Sequence, residues 1–190
     1  MTYRLNKLLF VGTFKSILKK NIFSLPMSTL THTYQDVNDP IIVTSFLHKK
    51  TSTWSYIVYE NESKEGVIID SALDFDYSTG NYHFDFANII LNFIKTNNLS
   101  IKYIIETHVH ADHLTAAPYL QEQLTLQGAL NVIPSYCIGN HINTVQETFG
   151  ELFNLDAKQC KKDGSQFGQL IHNDDILLAK LVKSIKHFIK

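Results

Sequence analysis

Cysteine is scarce in this chain, and the two present, Cys137 and Cys160, form no C-x-x-C pair and no metal-type spacing. So few thiols exclude a disulfide framework and weakly favour a reducing compartment, with both read as buried or inert. No stretch approaches the roughly 18 apolar residues needed to cross a bilayer, so no membrane span is expected. Net charge is small as well: 17 Lys and Arg against 18 Asp and Glu leave -1 at pH 7, which argues against nucleic acid as a partner of the folded body. Internal repeats and low-complexity tracts are missing. What remains is 190 residues, 44% hydrophobic and 18% charged, the profile of one globular domain with a real core.

Acidic residues are absent from Met1 to Gln35, where Arg4, Lys7, Lys15, Lys19 and Lys20 are interleaved with Leu5, Leu8, Leu9, Ile17, Leu18 and Ile22. An acid-free basic amphipathic leader over 1–28 reads as a mitochondrial presequence or as a solvated basic extension. The apolar run Leu8 to Val11 is too short for a secretory signal. The expected location is the mitochondrial matrix or the cytoplasm.

Ile41–Leu47, Trp54–Glu60 and Gly66–Asp70 are short β-branched or aromatic runs with turn-rich breaks, the pattern of a strand meander. The third ends in a carboxylate, Asp70, where a buried strand would emerge into a loop. Leu73–Tyr82 reads as loop, with Gly80-Asn81 its strongest turn signal. Helical spacing of Phe86, Ile89, Ile90, Phe93 and Ile94 predicts a helix over Phe84–Asn98, closed by Asn97-Asn98. A strand follows at Ile101–Glu106, a helix over His113–Gln127 with Pro118 near its start, a strand over Leu130–Ile138, and a helix marked by Ile142, Val145, Phe149 and Phe153. That order predicts an α/β fold in which Ile101–Glu106 is buried and delivers a loop from its C-terminal end, where sites are usually built.

That loop is Thr107-His108-Val109-His110-Ala111-Asp112-His113-Leu114, with three imidazoles and a carboxylate in the six positions 108–113. With 9 histidines in the chain, the pattern H-x-H-x-D-H arises by chance roughly once in a thousand such sequences, whereas a lone histidine is more often a core or surface residue. Imidazole with carboxylate suits iron(II) or zinc. His108 and His110, two apart in extended chain, face one side and can share an ion. Asp112 and His113, where the chain turns, can approach a second ion or orient bound water. Glu106 and Thr107 stand where they could support the ligands, although Glu106 reads equally well as a solvated side chain.

The run Thr107 to Ala117, T-H-V-H-A-D-H-L-T-A-A, resembles the signature loop of the metallo-β-lactamase superfamily. Its H-A-D-H-L-T-A-A form is similar to the persulfide dioxygenase (sulfur dioxygenase) and β-lactamase hydrolase-like branch. The resemblance extends to Val67–Asp70 with Leu73–Asp76, to Pro118-Tyr119-Leu120, to Gly139–Phe153 and to Asp163–Phe167, covering about Ile41 to Asp175. It implies an αββα sandwich, of which mainly the N-terminal half is present here over 29–176. It also implies one Fe(2+), with dioxygen oxidising glutathione persulfide to sulfite and glutathione. Carried over, His108 would be an iron ligand. In zinc-hydrolase relatives His108 and His110 hold one metal, and Asp112 and His113 a second. Leu114-Thr115-Ala116-Ala117 departs from the Gly-rich continuation of glyoxalase II-like zinc thioester hydrolases, which remain the alternative, with Zn(2+).

Further ligands of the family, a histidine in T-P-G-H and an aspartate in a G-D segment, have no counterpart. The later histidines His141, His172 and His187 read as structural or surface residues. Residues 177–190 form a divergent basic amphipathic tail, with Leu177, Leu178, Leu181, Val182, Ile185, Phe188 and Ile189 at helical spacing among lysines. The expectation is a C-terminally truncated domain with no assigned catalytic residue, completed through a homodimer or a second polypeptide. A third reading is an inactive fragment that binds a partner through this tail.

Overall fold

A computed structural model describes residues 31–35, 39–126, 133–156 and 161–172. The basic leader and the amphipathic tail lie outside the described residues, as do Cys160 and His187.

β1 (Thr31–Gln35), β2 (Ile41–His48), β3 (Thr53–Glu60) and β4 (Glu65–Ile69) form an antiparallel meander. β4 then pairs in parallel with β7 (Ser100–Glu106), β7 with β9 (Ser135–Gly139), and β9 with β10 (Gln169–Ile171). The result is a mixed seven-stranded sheet of order β1-β2-β3-β4-β7-β9-β10. Between β4 and β7 runs the crossover helix α1 (Asp85–Thr96); between β7 and β9 runs α2 (Ala117–Leu126); α3 (Ile142–Leu152) follows β9. These crossovers are what parallel pairing requires. The fold is α/β, as the strand-then-alternating order predicted.

Alternation decides which side of the sheet the helices cover. Ile42, Phe46, Ile57, Tyr59, Ile68 and Ile104 join Phe86, Ala87, Ile90, Leu91 and Ile94 of α1 and Ala117 and Leu120 of α2 in one core. Ile41, Val58 and Val67 form a smaller cluster with Val43, Ile69, Tyr103 and Ile105, the opposite parity of the same strands. A β-bulge keeps both sets in phase: Gly66 pairs Ile101 and Val67 pairs Tyr103, so Lys102 is the extra residue. Ile104 and then Glu106 consequently lie on the side of the helices.

Three sequence expectations need correction. The helix predicted over His113–Gln127 starts at Ala117, because Leu114–Thr115 is instead β8, paired antiparallel with Ala72–Leu73. Thr115 Oγ1 accepts the Ala117 N–H at 3.0 Å, which caps the helix, and Pro118 sits in the first turn where its missing N–H costs nothing. The segment Leu73–Tyr82 is more ordered than a loop: β5 (Ala72–Phe75) is the middle strand of a small sheet between β6 (Tyr82–His83) and β8. β9 begins at Ser135 rather than Leu130, after Pro134, and residues 127–132 are outside the described set. The helix expected over Phe84–Asn98 is α1, and Asn98 closes it in the left-handed region at φ 53°.

Cys137 is a free buried thiol whose pKa burial pushes up to about 11, consistent with an inert role. No helix among the described residues is long and apolar enough to cross a membrane.

Gly66 is required by sheet packing rather than by backbone angle. A Cβ there would lie 2.8 Å from Tyr59 Cβ and 2.9 Å from the Val58 carbonyl oxygen, both fixed by the paired strand. Gly66→Ala should therefore destabilise the fold by about 1–3 kcal/mol, read as a lower urea midpoint. An unchanged midpoint would show that β3 and β4 can separate at no cost.

Candidate metal centre

β4 and β7 run side by side in the same direction, so the residues after them emerge together. Asp70 follows β4 in the left-handed region at φ 51°, unusual for a residue with a side chain. Three contacts hold it there: its N–H donates to Ile105 O at 2.9 Å, its carbonyl accepts Ser55 Oγ at 2.6 Å, and Ser55 Oγ accepts the Ala72 N–H at 3.3 Å. The carboxylate reaches across to the loop after β7. Thr107 donates its N–H to Oδ1 and its hydroxyl to Oδ2, both at 2.7 Å, and His110 Nε2 lies 3.0 Å from Oδ1. Burial raises the pKa of this carboxyl, but the hydrogen bonds from His110 and Thr107 outweigh it and hold Asp70 below the ordinary carboxylate range.

His110 is the hub. Its side chain is 9% exposed, and its Nε2 also lies 3.2 Å from Glu106 Oε2. Glu106 is buried, not solvated: its Oε1 accepts the Thr115 hydroxyl, while Oε2 has no well-aligned donor. Burial alone would push His110 down, but Asp70 and Glu106 overcome it and hold the imidazole up to about 9. The His108 and His113 rings flank it, with centroids 4.2 and 4.3 Å away. His108 is exposed, with Nδ1 2.8 Å from Thr107 Oγ1.

His113 has a fully buried side chain. Its Nδ1 lies 3.3 Å from both Asp112 Oδ1 and Thr53 Oγ1, and its Nε2 is buried with no hydrogen-bond partner. Burial first, and the neighbouring His110 second, lower its pKa and keep it a neutral ligand-type imidazole.

Two groups of ligand atoms result, each confined within 4.8 Å: Asp70 with His108 and His110, and His110 with Asp112 and His113. The four residues singled out from sequence, His108, His110, Asp112 and His113, thus meet at one place. Asp70 joins them, although it was marked in the sequence only as a strand-end carboxylate. His141 is exposed at the start of α3, and His172 pairs with Asn140 Nδ2 at 3.0 Å; neither enters the groups.

Residues 49–132, which contain this cluster, match the Metallo-beta-lactamase superfamily. This stretch of the chain belongs to that superfamily. A "Probable metallo-hydrolase" of Burkholderia pseudomallei is 36% identical over 135 residues, 71% of this chain and 43% of that protein. A "Beta-lactamase hydrolase-like protein" of Xylella fastidiosa is 31% identical over 74% of this chain and 30% of its own length. The mitochondrial "Persulfide dioxygenase ETHE1" of Mus musculus is 31% identical over 45% of this chain and 29% of its own length. The chain therefore spans less than half the length of the relatives it matches.

Membership of the metallo-β-lactamase superfamily implies a metal, and the residues present suit one. An orphaned buried imidazole nitrogen at His113 and a mixed His and carboxylate set are the donors a divalent cation satisfies.

The raised His110 pKa has a pH signature in chelator-treated protein. Its folded value lies above the ordinary 6.5, so its stabilising contribution is full below about pH 6.5 and is lost as pH rises through about 9. Asp70→Asn should move the His110 titration downward in histidine NMR and cost most stability at the acid end of that window. A His110 titration unchanged by Asp70→Asn would contradict the assigned ion pair.

Proposed function

We propose that this chain carries the metal-binding loop of an iron(II)- and oxygen-dependent persulfide dioxygenase. The substrate is glutathione persulfide, and the products are sulfite and glutathione. The balanced reaction takes one persulfide, one dioxygen and one water to one glutathione, one sulfite and two protons. The observation that carries the reading is the pair of ligand groups sharing His110. His108 and His110 with Asp70, or His110 with Asp112 and His113, would hold a cation, and Glu106 steadies the shared His110. Iron(II), if held there, would supply the chemistry that activates oxygen toward a sulfur anion. The chain's own contribution is to gather the imidazoles on one loop, to hold His110 by the Asp70 and Glu106 carboxylates, and to keep His113 buried and neutral.

The choice of oxidation over hydrolysis rests on two supports. The loop continues as Leu114-Thr115-Ala116-Ala117 in place of a Gly-rich run, and relatives include persulfide dioxygenases by name. A zinc-dependent thioester hydrolase is the second reading, favoured by the hydrolase name of a relative that matches more of the chain. For location, the acid-free basic leader supports the mitochondrial matrix, with the cytoplasm as the alternative.

Metal content separates the readings. Elemental mass spectrometry on protein purified with iron and zinc both supplied should find about one iron per chain, lost in His108→Ala. Oxygen uptake should then appear with glutathione persulfide. Zinc with thioester hydrolysis would move the assignment to the hydrolase, and metal-free protein indistinguishable from His108→Ala would reject both.

A further inference from the structure

The strongest feature outside the loop is a line of polar side chains that ends on it. Thr53 opens β3 opposite His48, the last residue of β2. The turn between them contains Ser52 in the left-handed region at φ 58°, and it sets the Thr51 and Thr53 hydroxyls 2.8 Å apart, with Thr51 donating. Thr53 donates in turn to Asp112 Oδ2 at 3.2 Å and lies 3.3 Å from His113 Nδ1. In the other direction, Thr51 Oγ1 is 2.7 Å from His48 Nδ1, and His48 Nε2 is 3.2 Å from Asp74 Oδ1. Asp74 is anchored on the fold: its Oδ2 accepts the Phe86 N–H at 2.8 Å in the first turn of α1, and Lys50 Nζ stands 3.6 Å from Oδ1. His48 is 3% exposed, with its ring against Phe86 at 4.9 Å.

We infer that Thr53, held through Thr51, His48 and Asp74, is the positioning residue that fixes Asp112 and His113 for a divalent cation. The inference rests on the metal-site reading above and assigns its support. The two ends of the line differ in freedom. Asp74 and His48 are buried and fixed by the core, whereas the Asp112 side chain is 59% exposed and would explore several rotamers in water. A hydroxyl tied to the buried end restricts the exposed carboxylate before any ion arrives. It also occupies the Nδ1 side of His113, leaving Nε2 as the nitrogen free to bind. Partners of this kind set ligand orientation and tautomer in metal sites. A purely structural role, locking the β2–β3 turn, predicts a different outcome when Thr51 is changed, since among the described residues Thr51 bonds to His48 and Thr53 and not to Asp112 or His113.

The test compares Thr53→Val, Thr53→Ser and Thr51→Val with the unmodified chain. One arm measures Zn(2+) affinity by competition with a chromophoric chelator, with Co(2+) absorption as a report on ligand geometry. A second arm follows the His113 ring nitrogens by NMR in metal-free protein, and melting temperatures serve as the control for folding. Thr53→Val and Thr51→Val should each bind Zn(2+) about 10- to 100-fold more weakly and shift the His113 signals, while Thr53→Ser stays near the unmodified chain. Thr51→Val with unmodified affinity and unmodified His113 signals overturns the inference. So does a Thr53→Ser variant as weak as Thr53→Val, or affinity losses that merely track lost melting temperature. If the unmodified chain takes up neither cation, the metal-site reading fails alone, and the His113 signals of Thr51→Val still decide whether the line of contacts acts on the loop.

Discussion

The parallel pairing of β4 with β7 is the constraint on which the site depends. It brings two strand ends to the same edge in the same direction, so that a carboxylate from one and a histidine loop from the other can meet. The Asp70 side chain makes the junction with three contacts, to the Thr107 N–H, the Thr107 hydroxyl and His110. Without that junction, the loop 108–113, whose one sizeable apolar side chain, Val109, is exposed, would bury little apolar surface with which to hold a shape. Backbone strain at Asp70 is the counterpart. A left-handed residue with a side chain is costly, and Ser55 bridging its carbonyl to the Ala72 N–H is what maintains it.

The fold was legible where periodicity is strong. The runs at Ile41, Trp54, Gly66 and Ile101 became β2, β3, β4 and β7, and the period of Phe86, Ile90 and Ile94 became α1, because each pattern reports a face buried against a neighbour. Short elements escaped for the opposite reason. β8 is two residues long, and β5 has four with no long alternation, so their pairing is a tertiary fact with no local pattern. The misplaced start of α2 has the same origin: the Leu114–Thr115 bridge to β5 overrides a sequence that would otherwise extend the helix. The four metal-type residues were legible because they are adjacent in sequence. Asp70, Thr53, His48 and Asp74 were not, since they are separated from the loop by about 34 to 65 positions and only strand pairing brings them to it.

Charge accounts for why the loop holds this composition. Three carboxylates, Asp70, Glu106 and Asp112, converge on three imidazoles, and two of those carboxylates are largely withdrawn from water. Such a group needs positive charge at its centre. A proton on His110 supplies one unit, which is why that imidazole is held up to about 9. A divalent cation would supply two while drawing on the same oxygens and releasing the proton, so the arrangement that stabilises a charged histidine is also one prepared for a metal. His113 follows the complementary logic, buried, neutral and with Nε2 unpaired.

The run Leu114-Thr115-Ala116-Ala117 bears on the choice between oxidation and hydrolysis, and its structural role limits how. Thr115 gives its hydroxyl proton to Glu106 and takes the Ala117 N–H, so one side chain ties the metal loop to the start of α2. Ala116 and Ala117 are 1% and 0% exposed against the core, and Ala116 donates its N–H to Ser71 O at 2.9 Å, beside Asp70. Larger residues there would push α2 off the sheet. None of these contacts touches a reacting atom; they set how tightly the loop is drawn against the β4 end. The run is thus a marker of one packing of the loop, and it bears on the two reactions only as far as that packing is coupled to the metal held. Iron binds less tightly than zinc to a given set of nitrogen and oxygen donors, so a site that retains iron must do so through geometry and supply rather than raw affinity. That places the decision on the ligand positions, and hence on the Asp70, Glu106 and Thr53 contacts that fix them.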